Sequence, residues 1–195
     1  MTTKPEERIG RTEFIALVAM MFSTIAFSVD SMLAAFPQIE SDLNVPGQAY
    51  LMITMFMGGL AFGTLLAGPV SDAIGRKLTL YLGGTLYVLS GLVAWQSADF
   101  NVILAARVVQ GFAAAAPRVV SLAVVRDLYS GRQMAQIVSF AMILFAIVPT
   151  LAPAMGDVLQ SAFGWRSIML AFVLFSVITI IWVAIRLPEL SLIHI

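Results

Sequence analysis

Apolar runs of about the length that crosses a bilayer alternate with short polar segments along the whole chain. They read as membrane spans over about 14–36, 50–67, 78–96, 102–125, 134–156 and 167–185, each near the roughly 20 residues a hydrocarbon core requires. Residues 1–13 are polar, with Lys4, Arg8 and Arg11 beside Glu6, Glu7 and Glu13. A basic start before an apolar run imitates a signal peptide, but the run from Phe14 to Phe36 is too long for a signal core and reads as an uncleaved first span. Pro37 to Gly47, Ser97 to Asn101 and Asp157 to Arg166 read as loops on one side. Gly68 to Lys77 and Arg126 to Gln133 read as loops on the other. The sixth span stops at Arg186 and Pro188. The fold class is therefore an all-α polytopic membrane protein with six transmembrane helices.

Composition agrees. The chain is 60% hydrophobic and 11% charged, against about 25% charged in soluble domains. With the N-terminus inside, the inner segments hold Lys4, Arg8, Arg11, Arg76, Lys77, Arg126, Arg132 and Arg186, and the outer loops hold Arg166 alone. That split predicts a cytoplasmic N-terminus. Zero net charge and the lack of a basic run speak against a nucleic-acid partner. The chain has no cysteine and a single histidine, His194, so no metal site and no cofactor are expected. No P-loop is present, so ATP is not implied.

The segment GPVSDAIGRK, Gly68 to Lys77, turns the chain between two charge-free runs. Gly68 and Pro69 are expected to break the preceding helix, and Gly75 to take the positive φ of a tight turn. Three groups are charged inside the spans. Asp30 lies about seven residues before the outer loop, where a carboxyl calls for a functional explanation. Withdrawal from water favours the protonated form of an acid, so Asp30 is the candidate proton carrier; the alternative is a cap at the membrane interface. Arg107 lies at a similar depth, roughly 10 Å below the outer surface at 1.5 Å per residue. It is a candidate partner for Asp30, directly or through water, with snorkelling to the headgroups as the alternative. Arg118 follows eleven residues later, about three turns, on nearly the same face; it lines a polar path or snorkels inward. Pro149 and Pro153 stand one turn apart in the fifth span and bend it, for packing or for movement. Gly59 and Gly63 have the four-residue spacing that brings helix backbones close. The many methionines, Met32 among them, suit a flexible lining for varied apolar ligands, and are also ordinary in membrane spans.

These motifs resemble one family. The turn G-x-x-x-D-x-x-G-R-K, with Gly68, Asp72, Gly75, Arg76 and Lys77, resembles the signature loop of the major facilitator superfamily. R-V-V-Q-G, Arg107 to Gly111, looks like the fourth-helix motif of its proton-coupled members, with Ala113 where a glycine is usual. A-P-A-M-G, Ala152 to Gly156, is similar to the antiporter motif of its drug exporters, sharing Pro153 and Gly156. V-D-S-M-L-A-A-F-P, Val29 to Pro37, and V-V-R-D-L-Y, Val124 to Tyr129, look like the Bcr/CflA-type drug/proton antiporters.

The resemblance, which covers about residues 14–190, implies the N-terminal six-helix half of a twelve-span transporter, with helices one to three and four to six as inverted repeats. The missing C-terminal six-helix bundle would be a partner, alongside the lipid bilayer, protons and a small drug-like substrate. Residues 187–195 are expected to be a non-native tail on a truncated chain; a natural short end is the alternative. The implied function is drug:proton antiport across the inner membrane. Asp30 would be the protonation site, Arg107 and Gln110 would tune it, Gln110, Arg118 and Met32 would line the substrate path, and the Gly68–Lys77 loop would act as gate. A proton-linked metabolite importer of the same fold, or a fragment inactive alone, are the alternatives. An intramembrane enzyme would need a nucleophile and base in the spans, which hold one acid and two arginines.

Overall fold

The computed structural model describes residues 10–187. Lys4, Arg8 and the expected tail from Pro188 onward, with His194, lie outside the described residues. The chain forms seven helices: α1 (Arg11–Leu33), α2 (Phe36–Leu43), α3 (Leu51–Ile74), α4 (Arg76–Gln96), α5 (Phe100–Leu128), α6 (Gly131–Phe163) and α7 (Arg166–Arg186). All but α2 are long and apolar enough to cross a membrane, and the described residues contain no strand. In hydrocarbon only a helix or a closed barrel satisfies every backbone group.

The helices run beyond the apolar stretches that announce them. α6 continues past Gly156 to Phe163, and the turn before it shrinks to Tyr129 and Ser130. A hydropathy boundary marks where lipid ends, whereas a helix continues wherever its own hydrogen bonds can. The loop between the first and second spans contains α2, with Pro37 in its first turn, where a missing N–H costs nothing, and Asn44 closes it at φ 58°. One expectation is corrected outright: Gly68 and Pro69 do not break a helix, because α3 runs through both to Ile74. A proline near the end of a membrane helix removes one bond and leaves the rest of the ladder standing. The break comes at Gly75 alone, whose φ of 95° is open to glycine and strained for other residues. It is both the end of α3 and the start of α4.

α1 and α5 form the interior, and α6 is the most exposed span. α5 packs along α3 and α4, α1 along α6, and α4 along α7. Glycine makes the closest seams. A Cβ on Gly59 would overlap the carbonyl oxygen of Val108, one on Gly111 that of Phe56, and one on Gly156 that of Ser31. Backbones therefore touch directly between α3 and α5 and between α1 and α6. Without a hydrophobic force between helices in lipid, such contact is what holds a bundle together.

The two ends are chemically distinct. At one, Trp165 donates through its indole to Asp42 Oδ2 (2.9 Å) and through its backbone N–H to Gln38 (3.1 Å), and Arg166 donates to the Ser97 carbonyl (3.1 Å). At the other, Arg186 pairs with Glu13 (2.8 Å), Trp182 donates to the same carboxylate (3.2 Å), and Arg11 donates to Gln136 (2.6 Å).

Candidate functional site

The interior site starts from the hydroxyls of α1. Ser23 donates to the Ala19 carbonyl (2.7 Å) and Ser28 to that of Thr24 (2.6 Å), while Ser31 bonds back to Phe27. Each polar side chain is thus satisfied within its own helix. Ser28 makes a second contact, hydroxyl to hydroxyl, with Tyr87 of α4.

Arg107 of α5 is wholly buried in this region. Its Nη2 donates to the Ser28 carbonyl (2.9 Å), its Nε to the Met52 carbonyl of α3 (3.2 Å), and its Nη1 to Gln110 Oε1 (2.8 Å). The guanidinium carbon lies 4.5 Å from the ring centre of Phe56 and 5.6 Å from that of Phe172 of α7. Carbonyl dipoles and two aromatic faces therefore surround the cation where a carboxylate is expected. Five spans contribute: α1, α3, α4, α5 and α7. Gln110 is fully buried, and its Nε2 has no hydrogen-bond partner among the described residues.

Asp30 is half-buried and makes no ion pair or hydrogen bond among the described residues. No direct bond joins Asp30 to Arg107 in this structure, and helix geometry gives the reason. Ser28 faces inward to Arg107, and Asp30, two residues on, is turned about 200° around the helix. Similar depth does not make two residues neighbours.

The remaining expected path residues separate. Met32 is fully buried in the apolar core, so it lines no open path here. Arg118 is exposed, and its guanidinium has no partner among the described residues. Arg107 and Arg118 share a face by angle, yet one is enclosed and the other open. Pro149 and Pro153 lie half-buried inside an unbroken α6, and Gly156 sits at its contact with α1.

The second site is the charged turn. Arg76 Nη1 donates to Asp72 Oδ1 and to Ser71 Oγ, both at 2.5 Å, and its Nε donates to Asp127 Oδ2 at 3.0 Å. Lys77 reaches the Ala184 carbonyl (3.2 Å), near the ring of Tyr81. The turn is thereby fastened to the ends of α5 and α7. Gly68 lies about one turn before Asp72 and takes no part in the cluster. Sequence reasoning missed Asp127 as a site residue, although it stands in the family-like V-V-R-D-L-Y stretch. It also missed Ser28 and Tyr87; nothing in one sequence distinguishes these two from ordinary polar residues in a span.

Comparison with known proteins places the chain. The family profile described as Major Facilitator Superfamily matches residues 15–192. An uncharacterized MFS-type transporter of Bacillus subtilis (strain 168), YdgK, is 33% identical over 187 residues, covering 94% of this chain and 46% of the relative. A bicyclomycin resistance protein homolog of Haemophilus influenzae is 34% identical over 177 residues, covering 90% and 44%. The multidrug resistance protein MdtL of Citrobacter koseri is 30% identical over 141 residues, covering 72% and 36%. The chain spans less than half the length of these curated relatives. Two solved structures share the fold. The human organic anion transporter MFSD10 (TETRAN) has a TM-score of 0.69 at 19% identity over 93% of this chain and 48% of its own. A D-xylose-proton symporter has a TM-score of 0.70 at 16% identity over 90% and 48%. The bicyclomycin-resistance and MdtL relatives agree with the Bcr/CflA-type branch. This multi-pass membrane protein belongs to the Major Facilitator Superfamily.

Proposed function

We propose that the chain supplies the N-terminal six-helix bundle of a proton-coupled exporter of small, mostly apolar drugs, in the inner membrane with its N-terminus cytoplasmic. The observation that carries the proposal is Asp30, a carboxyl within a span that has no ionic or hydrogen-bonding partner among the described residues. A group in that position carries its proton or gives it up without breaking a salt bridge. Export of drugs is supported by relatives named for bicyclomycin and multidrug resistance. The C-terminal bundle of the transporter would cover the exposed α3 and α6 faces and close the path beside Asp30 and Arg118.

In this scheme Asp30 loads a proton from the outer side and releases it inward as drug moves out. Arg107, its guanidinium already held, meets Asp30 only when α1 turns, and then stabilises the ionised carboxylate. The Arg76 cluster holds the turn to α5 in one conformation and lets go in the other. Pro149 and Pro153 let α6 bend as the bundles rock.

Drug tolerance in an efflux-deficient bacterium expressing the transporter that contains this chain tests the proposal. Tolerance to apolar antibiotics is expected to rise with the natural sequence and to return to background with Asp30→Asn. Equal tolerance with both sequences removes the claim.

A further inference from the structure

Tyr87 plays no part in the scheme above, yet it is buried at 2% exposure in the middle of the bundle. Its hydroxyl meets the Ser28 hydroxyl. Ser28 has one hydroxyl proton, and that proton goes to the Thr24 carbonyl. Tyr87 is therefore the donor, and the chain of bonds runs from Tyr87 through Ser28 to Thr24. On the same residue, Arg107 Nη2 donates to the backbone carbonyl. Ser28 is thus gripped twice, through its side chain from α4 and through its backbone from α5.

A helix held at one residue is held in rotation. With about 100° per residue, fixing Ser28 toward the interior turns Asp30 to about 200° from that direction. Gly156 of α6 supports the same setting from another side, since it lies against the backbone of Ser31. The charged and titratable groups on the packed elements are compatible with this setting. Arg107 on α5 is bonded elsewhere, Asp157 on α6 stands beside Gly156, α7 carries no charge between Arg166 and Arg186, and Tyr87 on α4 faces Ser28.

We infer that Tyr87 is a positioning residue: with Arg107 it holds Ser28 inward and so keeps Asp30 turned away from Arg107, toward the open side of α1. The two charges are kept apart by a grip that must slip before they meet. Its significance for transport rests on the proposed proton-carrying role of Asp30.

The chain has no cysteine, so a single Asp30→Cys substitution provides a reporter without background. The transporter that contains this chain, with any cysteine beyond these residues replaced by serine, is solubilised in detergent micelles, and the labelling rate of this thiol by a small polar maleimide is measured with Tyr87 present and with Tyr87→Phe. Loss of the hydroxyl removes about one net hydrogen bond, a roughly fivefold shift of the equilibrium toward the inward setting, and is expected to slow labelling by up to that factor. Ser28→Ala should also slow it, since its other bond, to Thr24, lies within α1 and ties it to no neighbour, and the double substitution should slow it no further, since both single changes break the one Tyr87–Ser28 contact. General loosening has the opposite sign: it accelerates labelling, here and at a Leu174→Cys control on the exposed face of α7. An unchanged or faster rate in Tyr87→Phe, or effects of the two substitutions that multiply, overturns the inference. The labelling reads orientation alone. Drug tolerance that survives Asp30→Asn would sink the proton role and leave the grip standing, whereas unchanged labelling would sink the grip and leave the proton role.

Discussion

Arg107 and Arg76 are the same side chain in two media. Arg107 is fully buried mid-span and is held by two backbone carbonyls, one amide oxygen and two aromatic rings. Arg76 stands at a helix end, 18% exposed, and is held by two carboxylates and a serine hydroxyl. Inside, the alternative to a good partner is nothing at all, so every donor the protein directs counts nearly in full. At the edge water competes for both partners and salt screens them. The interior arginine should therefore govern stability, and the edge arginine should hold a contact weak enough to be exchanged.

The largest effect expected from this contrast is at Arg107. Truncation by Arg107→Ala empties the space between Phe56 and Phe172 and strips Gln110 of its partner, a loss of about 3 kcal/mol or more for a large buried side chain. Thermal unfolding in detergent reads it. Arg107→Lys keeps the charge but cannot reproduce three directed donors, and should fall between the two. If Arg107→Ala were no worse than Arg76→Ala, the contrast would be wrong.

The next effect is at Gly111, beside Gln110 in the same interior. A Cβ there overlaps the Phe56 carbonyl, and α3 must move away from α5. Overpacking of this kind costs about 1–3 kcal/mol. At Gly58, one residue from the seam, an added Cβ would meet nothing within 4 Å. Gly58→Ala should stabilise the helix by about 0.5–1 kcal/mol. Opposite signs from the two alanines would show that backbone contact, and not glycine content, holds α3 to α5.

The same contrast explains what the sequence discloses. Six spans are legible because hydrocarbon permits one kind of backbone solution and needs about 20 apolar residues for it. The charged turn is legible because its residues are neighbours along the chain: Asp72, Arg76 and Lys77 lie within six residues, and Asp127 and the Ala184 carbonyl arrive from a distance. The interior site is assembled from Ser28, Met52, Tyr87, Arg107, Gln110 and Phe172 on five helices, and a single sequence does not say which faces meet. Depth along a helix can be counted from the ends of a span, which puts Asp30 and Arg107 at one level. Rotation about the helix axis depends on the neighbours, and it is rotation that separates them. Pro69 misleads for a related reason, since a proline breaks an isolated helix more readily than one embedded in a bundle.

The smallest effect belongs to the turn. Arg76→Ala removes two exposed ion pairs, one to Asp72, whose side chain is 66% exposed, and one to Asp127 at 38%. Pairs of this kind contribute up to about 1 kcal/mol in total. Asp127→Asn should cost no more, and the double substitution should cost less than the sum, because both break the Arg76–Asp127 bond. Raising salt from about a tenth molar to about one molar shortens the screening length from about 10 Å to about 3 Å, and should erode this contribution while leaving the Arg107 contribution unchanged. Unfolding midpoints of the natural chain, Arg76→Ala and Arg107→Ala at both salt concentrations separate the two. A salt-insensitive Arg76 would mean that the turn is as closed to water as the interior, and a contact of that strength could not serve as a gate that opens once in every transport cycle.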